Sequence, residues 1–530
     1  MKKRSSFLFA YTLLFCLFAF FACREPIHPH TPSDWITDTT PTCTQTGSRH
    51  RTCTECGETI DTDTLPQTGH TYANAWTVAE EIHFLPCLND GCQAASEVYE
   101  HSHDENGECI VCGHTTTVSR GLFYHLNDDG TGYMLTGVGD YVDANIVVPA
   151  IYNGLPVTYV YSNAFSFMSG IIDITLPHTV IGIGASAFNE CTDLENIKLP
   201  AGLTEIGERA FYGTPLKSIH IPAEIEAIRN GTFANCENLA SLTFAEDSRL
   251  KVIEQVAFIR CKKLKSISFP TELTTIDSAA FQSCNALEHL DFTVSDRLTD
   301  IGDYAFSDCH NLQKVSFGFE SHLMSIGRRA FDGCRSLTSI HTVGSDADFT
   351  IPFSVTTIGS AAFASCTTLR LVELPESVTS IGSSAFSGCS NLQHIGLPVG
   401  LTRISDHMFS DCPGLESIRI PAGVTEIDKF AFYKCTSLKS VEFEEDTQLT
   451  TLKNAAFYGC SALENVVIPA GVSSMEFQAF AYCDALRNVI FMDTDTWYAE
   501  IFAINPTDLA DPQKAAKILA YYCNFNWAKT

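Results

Sequence analysis

The sequence predicts an α/β solenoid. Each coil is expected to carry a parallel β-strand on one face and short helical turns or loops on the other, with a small Cys-rich module ahead of the array. Three observations lead there. A phenylalanine and a cysteine return together, three residues apart, mostly every 23 or 25 residues; Phe188/Cys191, Phe258/Cys261, Phe281/Cys284 and Phe306/Cys309 are four of twelve such pairs. Within each unit the apolar spacing changes from helix-like to strict alternation. Ahead of the units, cysteines come in close pairs. Self-similarity at this period marks stacked units, none of which can bury its apolar face alone.

The unit reads I-G-x-x-A-F-x-x-C-x-x-L-x-x-I-x-L-P, as at Ile381, Gly382, Ala385, Phe386, Cys389, Leu392, Ile395, Leu397 and Pro398. From Ile381 to Leu392 the apolar positions fall near one face of a helical turn. Ile395 and Leu397 then alternate with polar neighbours, which is strand spacing. Pro398 closes the strand because it has no N–H to donate. Degenerate copies at Phe165 and Phe211 bring the repeats to fourteen. Shorter copies turn through Pro421-Ala422-Gly423, longer ones through acidic bulges such as Glu246-Asp247 and Glu445-Asp446. The step from Cys334 to Cys366 is 32 residues and predicts an inserted loop around Asp346 to Asp348.

The chain divides in order. Residues 1–22 read as a signal peptide: Lys2, Lys3 and Arg4 precede an apolar run from Phe7 to Ala22. Ala22-Cys23 resembles a bacterial lipobox, which would leave Cys23 as an acylated N-terminus; plain secretion and a retained anchor are the alternatives. Residues 23–42, with Pro26, Pro29, Pro32 and Pro41, read as a flexible linker. Residues 43–115 hold two C-x-x-C-G knuckles, Cys53/Cys56 and Cys109/Cys112. Each thiolate pair suits one edge of a tetrahedral zinc. Cys43 and His70 would complete the first site, Cys87 and Cys92 the second. Disulfides suit the same spacing in an oxidising compartment. Either way a segment this short needs staples.

Residues 121–160 predict an N-terminal cap, with Leu122, Tyr124 and Leu126 alternating before a turn at Asp129-Gly130. The array is placed at 161–491. Residues 492–530, with Trp497, Trp527 and a helical stretch near Lys514 to Ala520, read as the C-terminal cap. Caps cover the open sheet edges at the ends of a stack. The repeat cysteines read as core packing, since a small soft side chain suits a buried site. Thr214 and Met168 stand in for Cys in two copies, so no thiol chemistry is required there. Rung-to-rung disulfides are the alternative in an exported protein.

The repeat resembles the BspA-like subclass of bacterial leucine-rich repeat proteins. Gly121-Leu122-Phe123-Tyr124, Asn127-Asp128-Asp129-Gly130-Thr131-Gly132-Tyr133 and Tyr152-Asn153-Gly154-Leu155-Pro156-Val157 are similar to the segment that opens such arrays. The Cys/His-rich stretch resembles small zinc-ribbon-like modules found beside repeats in bacterial surface proteins. These resemblances imply a non-enzymatic adhesin whose partners are host matrix or other cell-surface proteins. They also imply an exported chain, lipid-anchored at the bacterial outer membrane or cell surface, with structural zinc as its sole cofactor.

Charge and motifs bound the function independently. Lys and Arg total 33 against 62 Asp and Glu, a net charge of −29. That argues against nucleic acid and against direct docking on anionic lipid, leaving membrane contact to the lipid anchor. H-E-x-x-H, G-x-S-x-G, P-loop and dinucleotide signatures are absent, so no enzyme is predicted. Binding is expected on the column of residues lying between the two buried apolar positions of each strand. It runs Lys198, His220, Thr243, Ser268, Asp291, Ser316, His341, Glu373, Gly396, Arg419, Glu442, Val467 and Ile490. A glycan- or nutrient-capture lipoprotein is the alternative. It is disfavoured because this column lacks Trp and Tyr.

Overall fold

The computed structural model describes residues 31–41, 45–52, 59–67, 77–78, 82–86, 95–100, 118–139, 143–344, 349–495, 497–500 and 502–529, with the single residues 54, 57 and 104. The chain separates into two units, 1–101 and 102–530.

In the first unit, strands Ile36–Thr39, Gly47–Thr52 and Thr59–Leu65 form an antiparallel sheet. Arg49 and Arg51 alternate on the middle strand and pair across it with Asp63 and Asp61. Both guanidinium groups lie over the Trp35 ring, at 4.5 and 5.1 Å. Ile36–Thr39, inside the stretch read as a flexible linker, is therefore a paired strand. A second antiparallel sheet joins Thr77–Val78, Ile82–Pro86 and Ala95–Glu100.

The second unit is a solenoid. Every coil contributes strands to two columns. One is the expected column of three- or four-residue strands, such as His289–Phe292, Lys314–Phe317 and Ser339–Thr342, paired in parallel register. The other is built from two-residue strands such as Asp300–Ile301 and Ser325–Ile326, also parallel. The stretch expected to form a helical turn is not helical. Its first isoleucine sits in the two-residue strand, and tight turns carry the chain past the Phe and Cys.

Those turns have a consistent chemistry. The residues two before and two after each Phe adopt positive φ, as at Ser186 (55°), Glu190 (56°), Tyr304 (58°) and Asp308 (59°). The left-handed conformation turns alternate amides toward the next coil. Ser186, Phe188 and Glu190 each donate their N–H to a carbonyl of the following coil, those of Glu208, Ala210 and Tyr212, at 2.7–2.8 Å. The turn side is thus hydrogen-bonded from coil to coil as fully as a sheet.

The core is one continuous ladder. Fourteen phenylalanine rings from Phe165 to Phe480 stack in succession, and most are wholly buried. The repeat cysteines are free thiols. Each thiol reaches back one coil and donates to the carbonyl of the previous Phe, as from Cys309 to Phe281 and from Cys334 to Phe306, both at 3.3 Å. That supports the packing reading and adds a reason for sulfur: the thiol gives the buried Phe carbonyl a second donor.

The loop expected around Asp346 to Asp348 lies outside the described residues, but the long step between Cys334 and Cys366 also carries a strand rung. Phe349 bridges Ile340 and Thr350 bridges Glu373, so the insertion lays one extra rung into the long-strand column. Phe349 is buried and meets Phe363 edge-on at 5.9 Å.

The short-strand column breaks twice, between Glu205–Ile206 and Ala227–Ile228, and between Ser380–Ile381 and Arg403–Ile404. Both breaks coincide with a change at the residue before the Phe, which is Ala in all coils but two. The exceptions are Thr232 and Met408, both buried at the breaks. At Met408 the break goes with a wider ring step, 6.0 Å between Phe386 and Phe409, whereas at Thr232 the Phe211–Phe233 step is an ordinary 5.3 Å. Side-chain hydroxyls bridge the gaps instead: Ser405 donates to the Ile381 carbonyl at 2.6 Å and Thr232 to that of Gly207 at 3.3 Å.

At the N-terminal end, Leu122–Leu126 and Tyr133–Val138 form a hairpin whose second strand pairs in parallel with Leu155–Val160. At the C-terminal end, Trp527–Lys529 pairs antiparallel with Ser474–Met475, followed outward by Trp497–Ala499 and Phe502–Ala503. Helix Pro512–Tyr521 starts at Asp511, whose carboxylate accepts from the N–H groups of Gln513 and Lys514. It lies against strand Asn488–Phe491. Trp497 and Trp527 are buried, edge to face at 6.2 Å.

Candidate functional site

Alternation along the long strands sends every second side chain into the core and the rest outward. The expected column is arranged in this way. His220 stands opposite Thr243, Asp291 between Ser268 and Ser316, and His341 beside Ser316. Glu373 stands opposite Gly396, Arg419 opposite Glu442, and Val467 opposite Ile490. Lys198, which lies opposite Thr175, is exposed. Asp291, Ser316, His341 and Gly396 are half-buried, and the rest of the column is exposed.

Local bonds order this face. The His220 ring and the Thr243 hydroxyl are 2.9 Å apart, and His394 is 3.3 Å from the Glu373 carboxylate. Arg419 pairs with Glu444 at 3.1 Å. Asp291 accepts from the backbone and hydroxyl of Thr293. A second outward column, two residues earlier on each strand, went unread in the sequence. It includes Ser218, Ser241, Ser266, His289, Lys314 and His394, all exposed. The same period-two signal identifies it, so the outward face is two residues wide.

Eleven of the twelve repeat thiols are buried, and Cys483 is half-buried. Burial pushes Cys236 and Cys412 up to about 12. A thiol so protonated at neutral pH is a packing group. The metal-site candidates Cys43, Cys53, Cys56, His70, Cys87, Cys92, Cys109 and Cys112 lie outside the described residues, as does Cys23. Among the described residues no helix is long and apolar enough to cross a membrane.

The sequence profile of the BspA type Leucine rich repeat region (6 copies) matches residues 158–288, 246–346, 287–413, 343–448 and 402–503. The chain belongs to the BspA-type leucine-rich repeat family. No curated protein matches it. Among solved structures, it is similar to a leucine-rich repeat protein from Bacteroides ovatus ATCC 8483, at 24% identity and TM-score 0.55, over 71% of this chain and 88% of that one. A leucine rich cell surface protein from Faecalibacterium prausnitzii A2-165 aligns at 24% identity and TM-score 0.38, over 71% of this chain and 94% of that one. The pneumococcal vaccine antigen PcpA aligns at 21% and 0.39, over 67% and 92%. The first likeness corroborates the solenoid of this BspA-type protein.

Proposed function

We propose that the protein is a non-enzymatic adhesin that presents its long-strand face to host matrix or other cell-surface proteins. The observation that carries this reading is the contrast across each long strand. Inward positions are apolar in nearly every coil and mostly buried, while outward positions change chemistry from coil to coil. A face so varied on a fixed scaffold suits recognition of a large partner surface. Membership of a BspA-type surface-protein family supports it. Purified full-length chain should bind immobilised matrix proteins or whole cells saturably; binding that rises linearly without saturation overturns the reading.

Display at the surface would come from acylation of Cys23. Labelled fatty acid should enter the wild-type chain and not Cys23→Ala. The cysteines of residues 43–115 would staple their segment through zinc or disulfides. Metal analysis beside thiol counting separates the two: bound zinc with free thiols on denaturation, or neither.

Glycan capture has one feature in its favour. Tyr433, Tyr458 and Tyr482 line up on the turn side with ring centroids 5.2 and 4.8 Å apart, and Tyr482 is 62% exposed. Binding on a glycan array that falls with Tyr482→Ala supports this second reading; an array left blank removes it.

A further inference from the structure

The long-strand column looks uniform in sequence but is not one sheet. It parts at four junctions, and at three of them a main-chain bond (Lys217 to Glu195, Glu416 to Gln393) or the bridges of Phe349 and Thr350 still cross. Hydrogen bonding is continuous from Ser266–Ser268 to Ser339–Thr342, yet Ser241–Phe244 and Ser266–Ser268 are adjacent and not bonded to each other. The inward aromatic stack ends at the same place. Phe269, Phe292 and Phe317 stack at 4.5 and 5.2 Å. Phe244, at the equivalent position, leaves that stack and is half-buried.

A groove of about 450 Å³ lies at this split. Thr243 and Ser268 of the outward column line it, with Ser241, Ser266, Phe244 and Glu246 also in its lining. Main-chain N–H and C=O groups that would join the two strands have no partner strand there. Such groups are strong and obligatory hydrogen-bonding sites. The lining contains no Lys or Arg, and Asp247 follows Glu246.

We infer that this groove holds an extended, basic segment of a partner protein. The inference rests on the protein-binding reading above and locates its anchor. An extended segment lying over the groove offers alternating main-chain donors and acceptors to the hydroxyls of Ser241, Thr243, Ser266 and Ser268. An apolar side chain covers Phe244, and a Lys or Arg meets Glu246. A sugar would want an exposed ring face beside these hydroxyls, and Phe244 is half-buried.

The test uses the full chain and a fluorescent dodecapeptide of alternating lysine and valine, with a glutamate–valine counterpart as control. The lysine peptide should bind saturably and the glutamate peptide should not. Ser268→Arg, which fills the groove and opposes the charge, should weaken binding by about tenfold or more. Ser316→Arg places the same charge in the same column where the strands are bonded, and should change affinity by less than about twofold. Equal losses in the two variants, equal binding of the two peptides, or no saturable binding overturns the groove. Attachment to matrix protein or cells is measured in parallel. Attachment by wild type, with a groove that fails these tests, leaves the adhesin reading standing. A groove that passes, with no attachment to either, removes that reading alone.

Discussion

The rings of Phe386 and Phe409 stand 6.0 Å apart, the widest step in a ladder whose other steps lie between 5.0 and 5.6 Å. Met408 is wedged between these coils at a site that most coils fill with Ala. The short strands on either side lose their hydrogen bonds at the same junction.

Met408→Ala should close that junction. Truncating a buried Met ordinarily costs about 2–5 kcal/mol. Here the neighbouring coils can settle into the spacing they keep elsewhere, so the loss should stay below about 2 kcal/mol. Amide exchange at Arg403 and Ser405 should slow. Unchanged exchange there would show that the methionine is not the cause of the break.

Val256 carries a β-branched side chain at φ 50°, in the first left-handed position of its turn. That conformation costs an L-residue roughly 1–2 kcal/mol, and asparagine bears it better. Asn163 and Asn235 already occupy left-handed positions in other turns. Val256→Asn should raise stability by about 1 kcal/mol in urea denaturation. A lowered midpoint would mean that valine packing outweighs backbone strain.

The thiol ladder predicts alkaline weakness. Burial raises the folded-state pKa of Cys236 to about 12, against roughly 8.5 in an unfolded chain. Folding keeps the proton that unfolding releases. Stability is therefore intact below about pH 8.5 and falls as pH rises toward the folded value. Urea midpoints at neutral and alkaline pH should differ, and less so in Cys236→Thr, since Thr214 already fills an equivalent site. An identical drop in both proteins would point to other groups.

Arg403 pairs with Asp428, which is 4% exposed, and Lys453 lies 3.8 Å from the same carboxylate. Burial alone would raise the Asp428 carboxyl. The Lys429 N–H and Arg403 outweigh it and hold the group below the usual carboxylate range. Its contribution is present above about pH 3.9 and is lost as pH falls through the lowered value. Arg403→Ala should cost about 1 kcal/mol at neutral pH, because Arg403 itself is half exposed. The acid-unfolding midpoint should move upward; an unmoved midpoint would assign the hold on Asp428 to the backbone and Lys453.

Removing residues 495–530 would strip Trp527–Lys529 from Ser474–Met475 and uncover a strand edge. The shortened chain should self-associate in light scattering while the full chain does not. A monomeric truncation would show that the last coil protects its own edge.

Much of this fold was legible because two signals are strong. Phe and Cys recur at fixed spacing, which announces a shared core, and residues such as Ile395 and Leu397 alternate cleanly. The short-strand column was not legible. Two residues such as Asp300–Ile301 are too few to show a period, and Ile301 fits a helical spacing just as well. The left-handed turns hide too, since residues as different as Val256, Tyr304 and Lys434 adopt them. For the binding face, alternation identified the outward residues. It could not reveal the split at Phe244, which depends on how neighbouring coils meet.

The one-way bonding of the turns has a consequence for descent. Each coil offers its amides to the next and its carbonyls to the one before, in the same pattern at nearly every junction. A gene that gains or loses one whole coil restores an equivalent seam, and lengthening after a long strand, as at Glu246-Asp247 or between Cys334 and Cys366, leaves the next rings stacked. Array length can therefore drift between generations as long as each turn around a Phe is kept whole.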